Sequence, residues 1–153
     1  MKLAYQVEPL SALERDIWPL LPLHWEELAL DKSQMKMDVF VSRYKEFEQN
    51  GNLHIVTVRD QGRLVGYFIL MLGEHLHYHG AGRMAYTDVY FILPEFRKGG
   101  AGVKLFAEVE RTLRERGIVK AYFTCKVHQD HSSIFERLGW NWTDKVFTKV
   151  FSN

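Results

Sequence analysis

Several features that define other classes of protein are scarce in this chain of 153 residues. Cys125 is the single cysteine, so no disulfide can form within the chain, and this is typical of a reducing compartment. No apolar run approaches the ~20 residues that span a bilayer, and the N-terminus lacks the apolar core of a signal peptide. With 20 basic and 19 acidic residues the net charge is +1, which gives no support for a surface that binds nucleic acid or anionic membranes. We therefore expect a cytoplasmic protein without nucleic-acid or membrane partners.

The composition is that of an ordinary globular protein, with 46% hydrophobic and 25% charged residues. No repeat, low-complexity tract or linker divides the chain, so we expect one domain over residues 1–153 with a sizeable core.

Apolar spacing and turn residues predict an alternation of strands and helices. Strands are predicted over residues 2–7, 53–59, 63–72, 84–93 and 119–126, with a hairpin turn at 60–62 and a closing strand or hairpin at 140–151. Helices are predicted over residues 10–21 and 26–48, from residue 103 to a cap at Gly117, and shortly after residue 131. The order β-αα-βββ-α-β-α-β indicates an α/β domain with a mixed sheet.

A glycine-rich loop lies between the predicted strand 84–93 and the helix that follows. Gly99, Gly100 and Gly102 lack Cβ atoms, so the turn can point several backbone N–H groups at one ligand that approaches closely. The helix start adds unsatisfied N–H groups and the positive end of the helix dipole. The loop therefore suits an anion such as a pyrophosphate, and Arg97 and Lys98 add positive charge at its mouth.

Two common phosphate motifs do not fit this loop. A P-loop needs Lys-Ser or Lys-Thr after its last glycine, but Val103 follows Gly102. The spacing also differs from the dinucleotide fingerprint Gly-x-Gly-x-x-Gly. A plain strand-to-helix turn remains the alternative.

Two motifs carry a resemblance to a known family. Arg97-x-x-Gly100-x-Gly102, with Pro94 ahead of it, resembles motif A of the GCN5-related N-acetyltransferases, whose loop binds the pyrophosphate of acetyl-CoA. Residues 135–140 (FERLGW) are similar to motif B of that family, commonly Tyr-Glu-Lys-Leu-Gly-Phe, and lie at the usual separation. The resemblance implies a sheet whose two central parallel strands splay apart around the pantetheine arm of the cofactor.

The resemblance also implies which residues contact acetyl-CoA, the expected co-substrate, with no metal. Backbone groups of Phe91, Ile92 and Leu93 are the expected contacts of pantetheine and thioester. His128 falls where the family often has an Asn beside the pantetheine arm. The expected pyrophosphate site is made by Arg97, Lys98, Gly99, Gly100, Ala101, Gly102 and Val103.

In the implied reaction, a primary amine attacks the thioester directly within a ternary complex. A lysine-like amine has a pKa of about 10.4, so a base or a chain of waters must remove a proton. Asp88 is our candidate base, because the family often places an acidic residue on this strand. The alternative is an Asp with a purely structural hydrogen bond.

Phe135 stands where the family often has the Tyr proposed to protonate the departing thiolate, and Phe has no proton to donate. His128 and Tyr122 are our candidate replacements. Tyr86 and Tyr90 are further alternatives, although each aromatic is also a plausible core residue. Cys125 has no visible base beside it, so we do not expect a Cys nucleophile.

Two further clusters allow competing interpretations. On a strand, His75, His77 and His79 would share one face and suit zinc, but we favour a solvated loop near the acceptor pocket. The helical residues Trp18, Trp25, Glu26 and Glu27 lie in the region that walls the acceptor site in this family. Such a wall would favour a cationic amine, whereas helix-core tryptophans with solvated glutamates are the simpler interpretation.

The predicted function is acetyl transfer from acetyl-CoA to a small-molecule or protein amine. The alternative from another class is a module of the same fold that binds an acyl-CoA without turnover. Neither the acceptor nor the assembly state, monomer or homodimer, follows from the sequence.

Overall fold

The computed structural model describes residues 2–151, and it has five strands, five α-helices and two short 3₁₀ helices in these residues. The strands are β1 (Leu3–Val7), β2 (Leu53–Asp60), β3 (Arg63–Glu74), β4 (Arg83–Ile92) and β5 (Lys120–Tyr122). The helices are α1 (Leu10–Ile17), α2 (Leu21–Leu28), α3 (Val41–Gln49), α4 (Ala101–Glu115) and α5 (Ser132–Arg137).

The strands form one sheet in the order β1-β2-β3-β4-β5. Every neighbouring pair is antiparallel except β4 and β5, which are parallel and connected through α4. The predicted α/β domain with a mixed sheet is therefore confirmed.

Glycines at positive φ end several elements where the sequence predicted an end. The hairpin between β2 and β3 turns on Gln61 and Gly62, whose φ angles are 48° and 87°, as a two-residue turn of the primed type requires. Gly117, at φ 79°, follows the end of α4, and the N–H of Ile118 reaches back to the carbonyl of Leu113 at 3.0 Å. Both predicted boundaries are confirmed.

Core side chains cover both faces of strands β2 and β3. Residues 53–59 of β2 and 64–70 of β3 are buried almost without interruption, which is expected of strands covered on both sides. One face packs against the apolar stripe of α4, including Leu105, Phe106 and Val109. The other face packs against α1 through buried leucine and isoleucine side chains.

The predicted second helix over residues 26–48 is wrong in its length. Instead α2 ends at Leu28 and α3 begins at Val41, with turns and irregular chain between them. Ala29 is extended, with ψ at 139°, and Asp31 has a φ of 56°, so the helix cannot continue. The connection is largely exposed because it has no continuous apolar stripe to hold a helix against the sheet.

The last two predicted strands are also corrected. β5 comprises only three residues rather than residues 119–126. No strand or hairpin forms within residues 140–151, and most side chains there are exposed. Phe147 is 89% exposed, for example. Without a partner strand or a core to cover, local β propensity does not suffice to form a strand.

A buried histidine gives the fold a dependence on pH. His54, on β2, is 2% exposed and lies 2.9 Å from the Thr112 hydroxyl of α4. That hydroxyl donates to a helix carbonyl, so its oxygen accepts from the imidazole Nε2–H. Arg116 donates to the other ring nitrogen over 3.3 Å. Burial, together with the charge of Arg116, lowers the pKa of His54 from 6.5 to about 4.

We expect the free energy of unfolding to fall as the pH is lowered from about 6.5 to about 4. The unfolded chain takes up a proton at His54 in this window and the folded chain does not. The slope from one such group is at most ~1.4 kcal/mol per pH unit. Urea titrations across this range should show a smaller slope for His54→Gln. The matched control His77→Gln, at an exposed position, should keep the slope of the parent protein; equal slopes in both variants would contradict the assignment.

Candidate active site

The central feature of the site is a gap between β4 and β5. The two strands pair only from Met84–Lys120 to Tyr86–Tyr122, and β4 then continues to Ile92 without pairing to β5. The splayed parallel strands that the resemblance implied are therefore confirmed, although β5 lies at the edge of the sheet in the described residues. Side chains rather than a backbone ladder bridge the start of the gap.

Two hydroxyls on β4 make these bridges. Thr87 donates to the carbonyl of Tyr122 at 2.8 Å and accepts from the N–H of Thr124 at 3.2 Å. The hydroxyl of Tyr90 donates to the carbonyl of Thr124 at 2.8 Å and lies 3.0 Å from Nδ1 of His131. Burial raises the pKa of the Tyr90 phenol, and the neighbouring Cys125 and Asp130 raise it further, so the phenol keeps its proton at neutral pH.

The glycine loop opens directly onto the N-terminus of α4. Gly99 and Gly100 have φ angles of 68° and 76°, which residues with a Cβ adopt only under strain. Gly100 is the N-cap of α4, and no side chain caps the helix. A Cβ at Gly99, Gly100 or Gly102 would meet no protein atom within 4 Å. The loop therefore presents unsatisfied N–H groups beside open space, which suits an anion.

The Arg97 side chain is hydrogen-bonded both to the end of β4 and to helix α2. Its guanidinium donates to the carbonyl of Ile92 at 2.8 Å and to the carboxylate of Glu27 at 2.7 Å. The same carboxylate accepts from the Gln129 amide at 2.7 Å, and Nε2 of His128 lies 3.1 Å from the Glu27 carbonyl. Glu27 thus connects the chain on the two sides of the gap. The predicted role of Arg97 at the pyrophosphate stays a prediction.

Asp88 occupies a β-bulge in β4. Its neighbours Thr87 and Val89 pair with consecutive residues of β3, which leaves Asp88 as the extra residue. Bulges redirect side chains and are frequent next to active sites. The Asp88 carboxylate accepts a hydrogen bond of 2.5 Å from the Tyr44 hydroxyl of α3. Burial raises the pKa of Asp88, although the bond from Tyr44 opposes the shift.

An apolar cavity of about 300 Å³ adjoins this pair. It lies between the helices α1 and α2, the start of α3, and the strands β3 and β4. Tyr44 lines the cavity, so the Asp88 carboxylate is one hydrogen bond away from its wall. Tyr44 was not identified from the sequence, because no local pattern places an α3 phenol beside a β4 carboxylate.

His24 is a second lining residue that sequence reasoning missed. Its ring stacks on Phe91, with centroids 4.9 Å apart and planes at 8°, and its Nδ1 lies 2.6 Å from the hydroxyl of buried Tyr67. Burial lowers the pKa of His24 from 6.5 to about 4; Glu27 opposes this, while Arg97 and a nearby lysine add to it. The imidazole is therefore neutral at pH 7. A lone histidine in a helical stretch gives no signal of this environment.

The two residues proposed as acids lie in different places. His128 is exposed at the mouth of the gap beside Glu27. Tyr122 stacks on Tyr86 in the paired part of the strands, with centroids 5.0 Å apart and planes at 7°. Phe135 is buried and packs on Phe106 at 4.9 Å between ring centroids, so it serves the core.

The histidine-rich segment does not form the shared face that a zinc interpretation requires. β3 ends at Glu74, and the chain continues through a turn into a short 3₁₀ helix at His79–Ala81. His79 Nδ1 lies 3.0 Å from the Glu74 carboxylate at the surface. Among residues 2–151, no group of three or more His, Cys, Asp or Glu is arranged to hold a metal ion.

The expected acidic and aromatic wall is only partly present. Trp18 and Trp25 line the cavity. Glu26, however, pairs with Lys32 at 3.2 Å, and Glu27 pairs with Arg97. The cavity wall from α2 is therefore mainly apolar.

No helix within the described part of the chain has the length and hydropathy needed to cross a membrane.

A mixed sheet with separated parallel strands, next to a glycine loop at an uncapped helix, defines the acetyltransferase class of α/β proteins. The chain matches the model of the acetyltransferase (GNAT) family over residues 11–140, and it belongs to this family. In sequence, it matches none of the curated proteins.

Solved structures agree with this fold. The chain resembles glucosamine-6-phosphate N-acetyltransferase from Arabidopsis thaliana at a TM-score of 0.72 and 14% identity, covering 99% of this chain and 100% of that one. It also resembles ribosomal-protein-alanine N-acetyltransferase from Brucella melitensis biovar Abortus 2308, at a TM-score of 0.71 and 18% identity, covering 99% of this chain and 100% of that one. A predicted acetyltransferase from Clostridium acetobutylicum, solved with acetyl-CoA, gives 0.68 and 12%, covering 97% and 96%.

We expect Gly100→Val to abolish the binding of coenzyme A while the protein stays folded. The new side chain would enter the open space at the α4 N-terminus and strain a backbone at φ 76°. Isothermal titration calorimetry measures the binding, and thermal unfolding checks the fold. Gly117→Val is the matched control, because it imposes similar strain at φ 79° beyond the opposite end of α4. Retained affinity in folded Gly100→Val would place the site elsewhere.

Proposed function

We propose that this protein is an acetyl-CoA-dependent N-acetyltransferase that acetylates a primary amine by direct attack in a ternary complex. The observation that supports this best is the arrangement of three features around one gap. These are the open glycine loop at the α4 N-terminus, the half of β4 that has no pairing with β5, and the Asp88–Tyr44 pair.

The residues present fit acetyl-CoA. The N–H groups at the start of α4 and the loop from Lys98 to Val103 would hold the pyrophosphate, since a Cβ-free approach is open there. Backbone groups of Phe91, Ile92 and Leu93 would contact the pantetheine arm. The Ile92 carbonyl accepts from Arg97 and the Leu93 N–H donates to the Val65 carbonyl, so the other backbone groups of these residues would make the contacts. Acetyl-CoA supplies an activated acetyl thioester, and a β4 N–H can polarise its carbonyl without any particular side chain.

Asp88 is the proposed base. The acceptor must be neutral to attack, and an alkylamine with a pKa of about 10.4 is protonated at neutral pH. Burial raises the pKa of Asp88, which brings the carboxylate closer to the range of an effective base. The Tyr44 hydroxyl fixes the orientation of the carboxylate, and a bulged position in β4 directs it toward the cavity side.

Protonation of the departing thiolate is the less determined step. His128, at the mouth of the gap, and Tyr122 stay our predicted donors. Substitution of either residue should slow turnover if that residue delivers the proton. The absence of a phenol at Phe135 also supports the second candidate function, a module that binds acyl-CoA without turnover.

We expect acetyl-CoA to bind the free protein and to raise its melting temperature. Ligand at a hundredfold its dissociation constant stabilises the folded state by about 2.7 kcal/mol. For a chain of this length, that corresponds to a shift on the order of 5–10 °C. Differential scanning fluorimetry over a concentration series measures the shift. If millimolar acetyl-CoA gives no shift in melting temperature and no calorimetric heat of binding, both candidate functions are rejected.

We expect Asp88→Asn to lower turnover by about 10²- to 10⁴-fold, since an amide of similar shape cannot accept the proton. The dissociation constant of acetyl-CoA should change little. Coenzyme A release measured with a thiol reagent gives the rate, and calorimetry gives the affinity. Asp144→Asn, in the exposed C-terminal segment, is the control and should behave like the parent. A rate within a few-fold of the parent in Asp88→Asn would make Asp88 structural.

A further inference from the structure

We propose that the acceptor is a primary amine carried by an aromatic or branched aliphatic group, which occupies the cavity beside Tyr44. This inference rests on the proposed function and specifies its substrate class. The amine would lie toward Asp88, and the apolar body would lie between α1, α2 and the sheet.

The first argument is the chemistry of the cavity wall. Thirteen of the seventeen residues that line it are apolar, and they come from α1, α2, the 29–40 connection, α3, β3 and β4. Leu13 and Ile69 are 1% and 4% exposed, so the inner part of the wall is a continuation of the core. An apolar ligand binds favourably against such a wall, because both apolar surfaces are removed from water.

The second argument is that three of the four polar lining groups already have partners. His24 is neutral and bonded to Tyr67, and Tyr44 donates to Asp88. Glu14 lies 3.7 Å from Lys45, and the fourth group, Lys126, is solvent-exposed. A sugar or another acceptor rich in hydroxyls would lose its hydration here with few groups to replace it, which disfavours its binding.

The third argument is the position of the cavity relative to the reaction. Val89 lines the cavity and is the residue after the bulged Asp88, and Tyr44 connects the wall to that carboxylate. His24 also lines the cavity and stacks on Phe91, one of the expected cofactor contacts. An apolar body held here therefore places its amine near both the base and the end of the gap.

The volume limits the size of the acceptor. About 300 Å³ is at the lower end of the range for small-molecule sites. It suits one ring or one branched chain with a short linker to nitrogen. Exposed Met37 stands at the rim on the 29–40 connection, while Met35 on the same connection is exposed but does not line the cavity.

The test compares acceptors at matched concentration with saturating acetyl-CoA. The apolar set is 2-phenylethylamine, benzylamine and isoamylamine, and the polar set is glucosamine 6-phosphate, kanamycin and a peptide with N-terminal alanine. We expect kcat/KM for the best apolar amine to exceed that of every polar acceptor by at least about a hundredfold. Preference for a polar acceptor would overturn this inference alone. Binding of acetyl-CoA with no turnover of any amine would overturn the proposed function with it.

A matched pair of variants locates the acceptor. Met37→Lys should raise KM for the apolar amine by about tenfold, because it places a cation at the rim of the cavity, with KM for acetyl-CoA unchanged. Met35→Lys adds the same charge outside the cavity and should leave both values within about twofold of the parent. Equal effects of the two substitutions would show that the amine binds elsewhere. Thermal unfolding of both variants checks that the fold is retained.

Discussion

The site depends on the early end of the pairing between β4 and β5. Three paired residues hold the parallel strands together, and the remaining half of β4 has backbone groups with no strand partner on that side. Unpaired backbone polar groups are costly when they are buried, so such an edge is stable only where side chains, solvent or a ligand satisfy it. On the opposite side of the gap, the hydroxyls of Thr87 and Tyr90 donate to the carbonyls of Tyr122 and Thr124.

Packing keeps the strands apart on the α4 side. The ring of Phe123, just after β5, stacks on Trp140 with centroids 3.9 Å apart and contacts Phe135 at 5.7 Å. These rings pack between β5, α4 and α5, where Phe106 also lies. A Phe at position 135 therefore has a structural reason, since it completes an aromatic layer that supports the second side of the gap.

The two faces of the sheet carry different kinds of surface, one with an uncapped helix N-terminus and the other with an apolar cavity. On one face, α4 brings a helix N-terminus with no side-chain cap to the end of β4, and this favours a phosphate group. On the other face, α1, α2 and α3 enclose a mainly apolar space, and Tyr44 in its wall donates a hydrogen bond to Asp88. Glu27 on α2 accepts hydrogen bonds from Arg97 and Gln129, which lie on the two sides of the gap, so the α2 wall of the cavity is connected to the gap between β4 and β5.

Local patterns were sufficient where a residue type has one physical reason to occur. The glycines predicted the loop before α4 and the turn between β2 and β3, and the apolar spacing predicted α4 and the strands of the core. Patterns were insufficient where stability comes from distant partners. Residues 26–48 and 140–151 contain apolar residues, but no surface of the core receives a continuous stripe from them, so neither forms the predicted element.

What the sequence by itself determined is the family, the glycine-rich loop before α4 and the position of the acidic residue on β4, because each depends on neighbours along the chain. Only the tertiary structure decided that Tyr44 orients Asp88, that His24 stacks on Phe91, and that Glu27 is paired with Arg97. These contacts join residues 44, 67 and 70 positions apart. The physical reason is burial: which polar groups lose water, and which partners they then find, is set by packing between elements and not by any one of them.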